Sequence, residues 1–368
     1  MKRKILAVTV VIFLVTGSGL FLFDDVKRSI FEPTPTDLET GVSTENASTQ
    51  TVAENLEVPW DIEFLPNGDM LVTERPGDLL RIGENEQVYE VPGVEEAGEG
   101  GLLGVALHSE FEQNRYVYLY HTTDTPDEGL TNRVVRYRLE ENELTDSETI
   151  IEDLPGAFYH DGGRIDFGPE GYLYVTVGDA TEKQKAQNTS TLHGSILRLN
   201  PDGTVPESNP FGNEIYSYGH RNPQGITWIN ETMWATEHGS SATDELNLIE
   251  RGGNYGWPVI RGNQTQQGMR KPVQHSGYDE TWAPGGLTSI ENNLFFVGLR
   301  GESLYQAEVE NNRITSLKAH FRKDFGRLRD VTVGPEGDLY FSTSNRDGRG
   351  DPSENDDRII RVDPADLG

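Results

Sequence analysis

The chain has 368 residues, 61 acidic against 31 basic for a formal net charge of −30, with 35% hydrophobic residues, 40 Gly, 19 Pro and no Cys. A chain this acidic repels phosphate backbones, which excludes nucleic acid as a partner. Without cysteine there is no disulfide framework, no cysteine–zinc site and no thiol nucleophile. Gly and Pro at this frequency rule out a helical bundle but suit short strands joined by turns, and the apolar fraction is enough for a core.

At the amino terminus Lys2, Arg3 and Lys4 precede an uncharged, mostly apolar run from Ile5 to Phe23. At about 1.5 Å per residue that run just crosses a bilayer core of about 30 Å. No A-x-A cleavage signal follows it, so the segment 1–31 reads as an uncleaved anchor in preference to a cleaved signal peptide. The basic flank then holds the terminus inside and places the rest outside the cytoplasm, attached to the membrane or secreted. Residues 32–54, rich in Thr, Ser, Pro and acids, read as a disordered tether. The sequons at Asn46, Asn188, Asn230 and Asn263 are compatible with that location.

From residue 55 to 368 one pattern recurs. Pro66-Asn67-Gly68-Asp69 leads into Met70–Thr73, Pro169-Glu170-Gly171-Tyr172 into Leu173–Thr176, and Pro335-Glu336-Gly337-Asp338 into Leu339–Ser342. Weaker copies give strands at Tyr116–Tyr120, Met233–Thr236 and Leu294–Val297. Each copy is followed by a second short apolar strand: Leu79–Ile82, Val134–Tyr137, Ile196–Leu199, Glu245–Ile249, Ser303–Ala307 and Ile359–Val362. Turns spaced roughly 45–60 residues apart are the period of a four-stranded propeller blade, and six copies predict an all-β, six-bladed propeller. The acidity is spread along it, with −29 carried after residue 53. Such a surface stays hydrated when salt screens its self-repulsion, which points to a halophilic setting. Acidic pairs such as Glu95–Glu96 and Asp356–Asp357, and the tripeptide Arg349-Gly350-Asp351, read as solvated surface.

A propeller scaffold does not name an activity, so the chemistry has to come from its loops. His160-Asp161-Gly162-Gly163-Arg164 offers an imidazole that could take a proton from a hydroxyl group, and Asp179 closes the following strand where it could fix the tautomer. Gly219-His220-Arg221-Asn222-Pro223-Gln224-Gly225 packs a guanidinium, two amides and an imidazole between glycines, a donor set suited to a planar, carbonyl-rich anion. Glu237-His238-Gly239-Ser240, followed by Asp244-Glu245 and Gly252-Gly253-Asn254-Tyr255-Gly256-Trp257-Pro258, combines exposed carbonyls with carboxylates, as a hard cation such as calcium requires. Arg327-Leu328-Arg329-Asp330 aims two guanidiniums to one side of an extended segment, and Arg300 is a further isolated cation. Each loop taken alone is also compatible with a structural role. There is no G-x-G-x-x-G, Walker loop or H-E-x-x-H.

Together these loops, with Pro59-Trp60-Asp61-Ile62, Thr73-Glu74-Arg75-Pro76-Gly77 and Gly100-Gly101-Leu102-Leu103-Gly104, resemble the soluble pyrroloquinoline-quinone (PQQ) sugar dehydrogenases, the glucose/sorbosone dehydrogenase family of six-bladed propellers. The resemblance covers about residues 56–366. It implies oxidation of an aldose, or a related alcohol, to the lactone by hydride transfer to a calcium-bound quinone. In that scheme His160 is the general base, Asp179 orients it, and Arg221 stands where charge develops on the quinone. Asn222, Gln224, Arg300, Arg327 and Arg329 hold the cofactor, and Trp282 covers its ring. The carbonyls of Gly239 and Ser240 take the calcium, and Glu245 and Tyr255 match part of a further calcium site. The chain departs from the family's glucose-oxidising members in having Arg300 for a lysine and Ser240 for a proline. It also has Glu99 where a cofactor-contacting glutamine is expected. The partners implied are a small sugar and an electron acceptor that the sequence leaves unnamed. Two other readings stay open: a non-catalytic extracellular binding propeller, and a calcium-dependent lactonase or other hydrolase.

Overall fold

A computed structural model describes residues 47–126 and 129–368; the anchor segment and most of the tether lie outside the described residues. Six four-stranded antiparallel sheets follow one another along the chain. Blade 1 comprises β2 (Pro59–Phe64), β3 (Met70–Glu74), β4 (Asp78–Ile82) and β5 (Gln87–Glu90). Blade 2 comprises β6 (Leu102–Leu107), β7 (Tyr116–Thr125), β8 (Gly129–Leu139) and β9 (Leu144–Pro155). Blade 3 is β10 (Ile165–Phe167), β11 (Leu173–Val177), β12 (Ser195–Leu199) and β13 (Ile215–Tyr218). Blade 4 is β14 (Pro223–Ile229), β15 (Thr232–Glu237), β16 (Glu245–Ile249) and β17 (Gln274–His275). Blade 5 is β18 (Pro284–Ile290), β19 (Asn293–Gly298), β20 (Leu304–Glu310) and β21 (Arg313–His320). Blade 6 takes β22 (Leu328–Val333), β23 (Leu339–Thr343) and β24 (Ile359–Val362), and its fourth strand is β1 (Thr49–Ala53).

β1 corrects the expected boundary. Residues 49–53 fall in the stretch assigned to the tether, yet they pair antiparallel with β24, Thr49 opposite Val362 and Thr51 opposite Ile360. Their alternating Thr-Gln-Thr-Val-Ala suits an edge position, where one face packs and the other is wet. Strands from the two ends of the described chain thus share one sheet, which closes the ring and hides edges that would otherwise template aggregation.

The three Pro-x-Gly turns adopt one geometry. Gly68, Gly171 and Gly337 all take positive φ, at 90°, 80° and 89°. In each, the glycine amide donates back to the residue three before it, Leu65, Gly168 or Gly334. This is a type I turn closed by a left-handed residue, the three-residue hairpin connection that glycine permits without penalty. Helix among the described residues is confined to one turn at Phe111–Asn114 and two 3₁₀ turns.

The core is divided into layers between blades. On β7, Val117 and Leu119 join Leu71 and Leu79 in the layer against blade 1, whereas Tyr118 and Tyr120 join Leu173 and Val175 against blade 3. The two-residue period of a strand sends alternate side chains into alternate layers, which is why these strands read as continuous apolar runs. At the axis, Arg164 ties blade 3 to three others. Its guanidinium bonds Asp61, lies 2.8 Å from Asp330 and donates through Nε to the Gln224 carbonyl at 3.1 Å. Asp61 also accepts the Val105 amide at 2.9 Å, and Asp330 that of Ile62 at 3.0 Å.

Asp356–Asp357 are not the solvated surface expected: both are fully buried. Asp357 accepts from the Asn345 amide and the Thr343 hydroxyl, and Asp356 from the Ser353 amide and Arg358. Buried carboxylates need such partners. Here they brace the β23–β24 loop, because Asn345 in turn accepts the Arg327 amide at 2.9 Å.

Candidate active site

Loops that enter the innermost strands, together with loops that leave the second strands, gather the predicted residues at one end of the ring. His160 precedes β10, Asp179 follows β11, Arg221 and Asn222 precede β14, and Arg327 precedes β22. The His160 side chain is 18% exposed, open enough to meet a ligand. Its Nδ1 lies 2.7 Å from Asp179 Oδ1, and its Nε2 lies 2.8 Å from Nη2 of Arg221. A guanidinium only donates, so Nε2 carries the lone pair and Nδ1 the hydrogen; the tautomer follows from the network.

Asp179 is almost fully buried. Burial opposes its ionisation, but hydrogen bonds from His160, the Trp257 indole (2.7 Å) and the Thr181 amide (2.8 Å) outweigh it and hold the carboxyl below its usual range. The aromatic at this site is therefore Trp257, which also lies under the Arg221 guanidinium at 5.5 Å. It is fixed by Gln187 and Asn254, whose amides bond each other, and by Gln187 donating to its carbonyl at 2.7 Å. The sequence marked the run holding Trp257 but not this role. Trp282, expected to cover a cofactor ring, instead lies 2% exposed in the blade 5 core, packed on Phe296 and Tyr305. The apolar neighbours that claim its indole come from β19 and β20, outside the motif that suggested it.

The Gly219–Gly225 loop divides its labour. His220 points inward, bonded to Glu237 at 2.8 Å and to Ser217 at 2.9 Å and stacked on Tyr255. Glu237's other oxygen accepts the Arg221 amide. Asn222 accepts the Gly162 amide at 3.0 Å, and Gln224 donates to the Gly162 carbonyl at 2.8 Å, so both amides hold the His160 loop.

The arginines differ in their counter-charges. Arg327 is spent on Asp347, at 2.6 and 3.1 Å, and on the Leu299 carbonyl at 2.9 Å. Arg329 donates to Gln224 at 2.9 Å, its Nε is buried with no partner, and no described carboxylate lies within ion-pair distance. Burial pulls its pKa down to about 10. Arg221 also lacks an ion-pair partner, and burial lowers its pKa. Arg300 is exposed on the turn after β19. A buried guanidinium, Arg329, and a half-buried one, Arg221, neither with a carboxylate within ion-pair distance among the described residues, make a cradle for an anion, and this fits a planar tricarboxylate. A narrow pocket beside Arg221 runs between Trp257, His238 and Gly239. A larger cavity of about 650 Å³ lies at the opposite ends of blades 1 and 2, lined by Pro66 and Phe111. Its Arg81 and Arg115 are already paired, with Asp69 and Glu140.

The expected cation ligands Gly239, Ser240, Glu245 and Tyr255 all line the narrow pocket, but their polar atoms are engaged differently. Gly239 and Ser240 lie on the rim of the narrow pocket, and the Gly239 carbonyl takes no hydrogen bond from a described residue. Asp244 in the same loop is consumed by the amides of Gly239, Trp282 and Ala283 and by Thr281. Glu245 is buried, bonded to Asn247 and the Gly262 amide, and burial raises its pKa to about 8. The Tyr255 hydroxyl donates to the Leu248 carbonyl and accepts the Glu250 amide. Among the described residues no three acidic or histidine side chains converge on a metal position. The polar atoms of Glu245 and Tyr255, expected to belong to a further calcium site, are thus used within blade 4.

The family model described as Glucose / Sorbosone dehydrogenase matches residues 56–360. The PQQ-bound aldose sugar dehydrogenase of Streptomyces coelicolor superposes with a TM-score of 0.82 at 36% identity, over 90% of this chain and 99% of that one. The aldose sugar dehydrogenase YliI of Escherichia coli is 31% identical over 81% of this chain and 90% of its own length. Quinoprotein glucose dehydrogenase B of Acinetobacter calcoaceticus is 34% identical over 61% of this chain and 55% of its own length. Since the family model spans nearly the whole propeller and every loop of the site, the chain belongs to the glucose/sorbosone dehydrogenase family.

Proposed function

We propose that this protein is a quinoprotein sugar dehydrogenase that oxidises an aldose, or a related alcohol, to the lactone with PQQ. The observation that carries this reading is the His160–Asp179 pair set beside the guanidiniums of half-buried Arg221 and buried Arg329, neither of which has an ion-pair carboxylate among the described residues. The quinone, when bound, supplies the two-electron acceptor that no side chain of a cysteine-free chain provides. Arg221, Arg329, Arg300 and the Asn222 amide would hold its carboxylates and carbonyls, with Arg327 contributing less because Asp347 already neutralises it. The carbonyls of Gly239 and Ser240 are the donors that would meet a calcium ion.

The protein's own part is proton transfer and charge placement. His160 presents its Nε2 lone pair, which Arg221 occupies in the resting site. A substrate hydroxyl arriving there can give up its proton to Nε2, while Asp179 stabilises the imidazolium that results. Arg221, displaced toward the cofactor, keeps a positive charge where negative charge builds up. The basic flank and apolar run at the amino terminus support an extracytoplasmic, membrane-attached setting.

The test is an absorbance titration of the purified protein with PQQ in high salt, with and without calcium. Aldoses and an artificial electron acceptor are then added. Saturable binding with sugar-dependent bleaching of the oxidised cofactor is expected. A folded protein that binds no PQQ overturns the reading in favour of a recognition module.

A further inference from the structure

We propose that Glu99 and Arg349 form a clamp across the mouth of the site that positions the backbone of His160, which makes Glu99 a positioning residue for the base. This rests on the reading of His160 as that base.

Glu99 lies in the loop before β6 and Arg349 in the loop between β23 and β24, 250 residues apart. One Glu99 oxygen accepts the His160 amide at 3.1 Å and the other accepts Nη1 of Arg349 at 2.8 Å. The Glu99 amide donates to the Phe158 carbonyl at 3.0 Å, so one residue grips both ends of Phe158–His160. Gly98 makes the grip possible: its φ is +64°, and a β-carbon there would sit 2.2 Å from the Phe158 carbonyl oxygen.

The segment needs this support. His160 has φ 67°, in the left-handed region that a side-chain-bearing residue keeps only when its surroundings impose it. Asp179 fixes the ring and the Ala180 amide bonds the carbonyl at 3.2 Å. The remaining backbone group, the amide, depends on Glu99. A carboxylate is a stronger acceptor than the glutamine carboxamide expected here. Its charge, unwelcome beside an anionic cofactor, is met by Arg349, which also lies over Tyr159 at 5.7 Å. The ion pair itself is half open to water, with Arg349 49% and Glu99 24% exposed, and such pairs add little to global stability. Its effect is local, on the placement of one imidazole.

Four variants separate the amide bond from the ion pair. Glu99→Ala removes both, and Glu99→Gln keeps an acceptor oxygen. Arg349→Ala removes only the cation, and the reversed pair Glu99→Arg with Arg349→Glu restores the ion pair but not the acceptor. Misplacing a general base lowers turnover steeply, so Glu99→Ala is expected to lose about 10- to 100-fold in kcat with KM and melting temperature little changed. Glu99→Gln stays near wild type, and the reversed pair is as slow as Glu99→Ala. In the cofactor-free protein, hydrogen exchange of residues 156–163 accelerates in Glu99→Ala and the reversed pair but not in Glu99→Gln. Full turnover in Glu99→Ala, activity restored by the reversed pair, or unchanged exchange would overturn the proposal. If Glu99→Ala does not fold, Glu99→Gln against the reversed pair decides. A wild type that fails to oxidise sugar sinks the functional reading alone, since exchange still tests the clamp.

Discussion

Two buried arginines on the innermost segments of blades 3 and 6 meet opposite fates. Arg164, at the axis, stands between Asp61 and Asp330. Burial works against its charge, yet those two carboxylates outweigh it and push its pKa up. Arg329 is as deeply buried, has only a neutral amide as partner, and its pKa falls to about 10. Both sit near the Trp60 ring, at 4.5 and 5.6 Å, so the contrast lies in the counter-ions and not in the surroundings. A buried cation with its charge answered inside the protein is architecture. One whose charge is left unanswered is strained until an anion arrives.

That contrast can be broken by experiment. Arg164→Met strands two buried carboxylates and is expected to cost about 3–5 kcal/mol in urea unfolding; an unchanged midpoint would erase the architectural role. His160→Ala, next to the unanswered cations but not one of them, is expected to lower turnover by about 10²- to 10⁴-fold in a dye-linked assay, with PQQ affinity largely retained. Full turnover would remove the base assignment. Arg329→Met is the mirror of the first variant. It leaves stability unchanged or higher, while losing a charged hydrogen bond worth about 1.5–3 kcal/mol weakens PQQ binding by about 10- to 100-fold. If Arg329→Met unfolds the protein and Arg164→Met does not, the two arginines have been read the wrong way round.

The smallest effect concerns pH. Burial raises Glu99, but the His160 amide, His238 and Arg349 prevail and hold its pKa at about 2 against an ordinary 4.5. A carboxylate whose folded value is depressed adds stability above its unfolded value, and that stability drains away as pH falls from about 4.5 toward 2. Glu99→Gln should therefore flatten the acid limb of the melting curve over that window, by a small amount because the pair is partly exposed.

What the sequence made legible follows from where each residue type is forced. The second and third strands were readable because they are largely buried, leaving apolar runs that in three of the six blades follow a Pro-x-Gly turn. The innermost strands carry the site and are written in Pro, Gly and Gln, as in Pro223-Gln224-Gly225 and Pro284-Gly285-Gly286. The outermost are wet on one side, as in β9 with Asp146, Ser147 and Glu148 exposed, so both classes give a less regular apolar signal than the strands between them. His160, Asp179 and Arg221 could be singled out as candidates because their motifs are local and polar. Trp282 was misplaced and Trp257 underrated because an aromatic's role depends on neighbours from other segments. Arg349, taken for plain surface, meets a partner 250 residues away, a juxtaposition that only ring closure creates.

The closing strand has a practical consequence for anyone making this protein in soluble form. A boundary drawn at residue 54, where the apolar-rich part of the chain begins, would delete Thr49–Ala53 and bare the backbone of Ile359–Val362 along its length. The shortened protein would keep every residue of the pocket and still pair with itself edge to edge. An expression boundary at or before residue 47 avoids this. Residues 49–53 form the outermost strand of blade 6, away from the axis where the pocket residues converge.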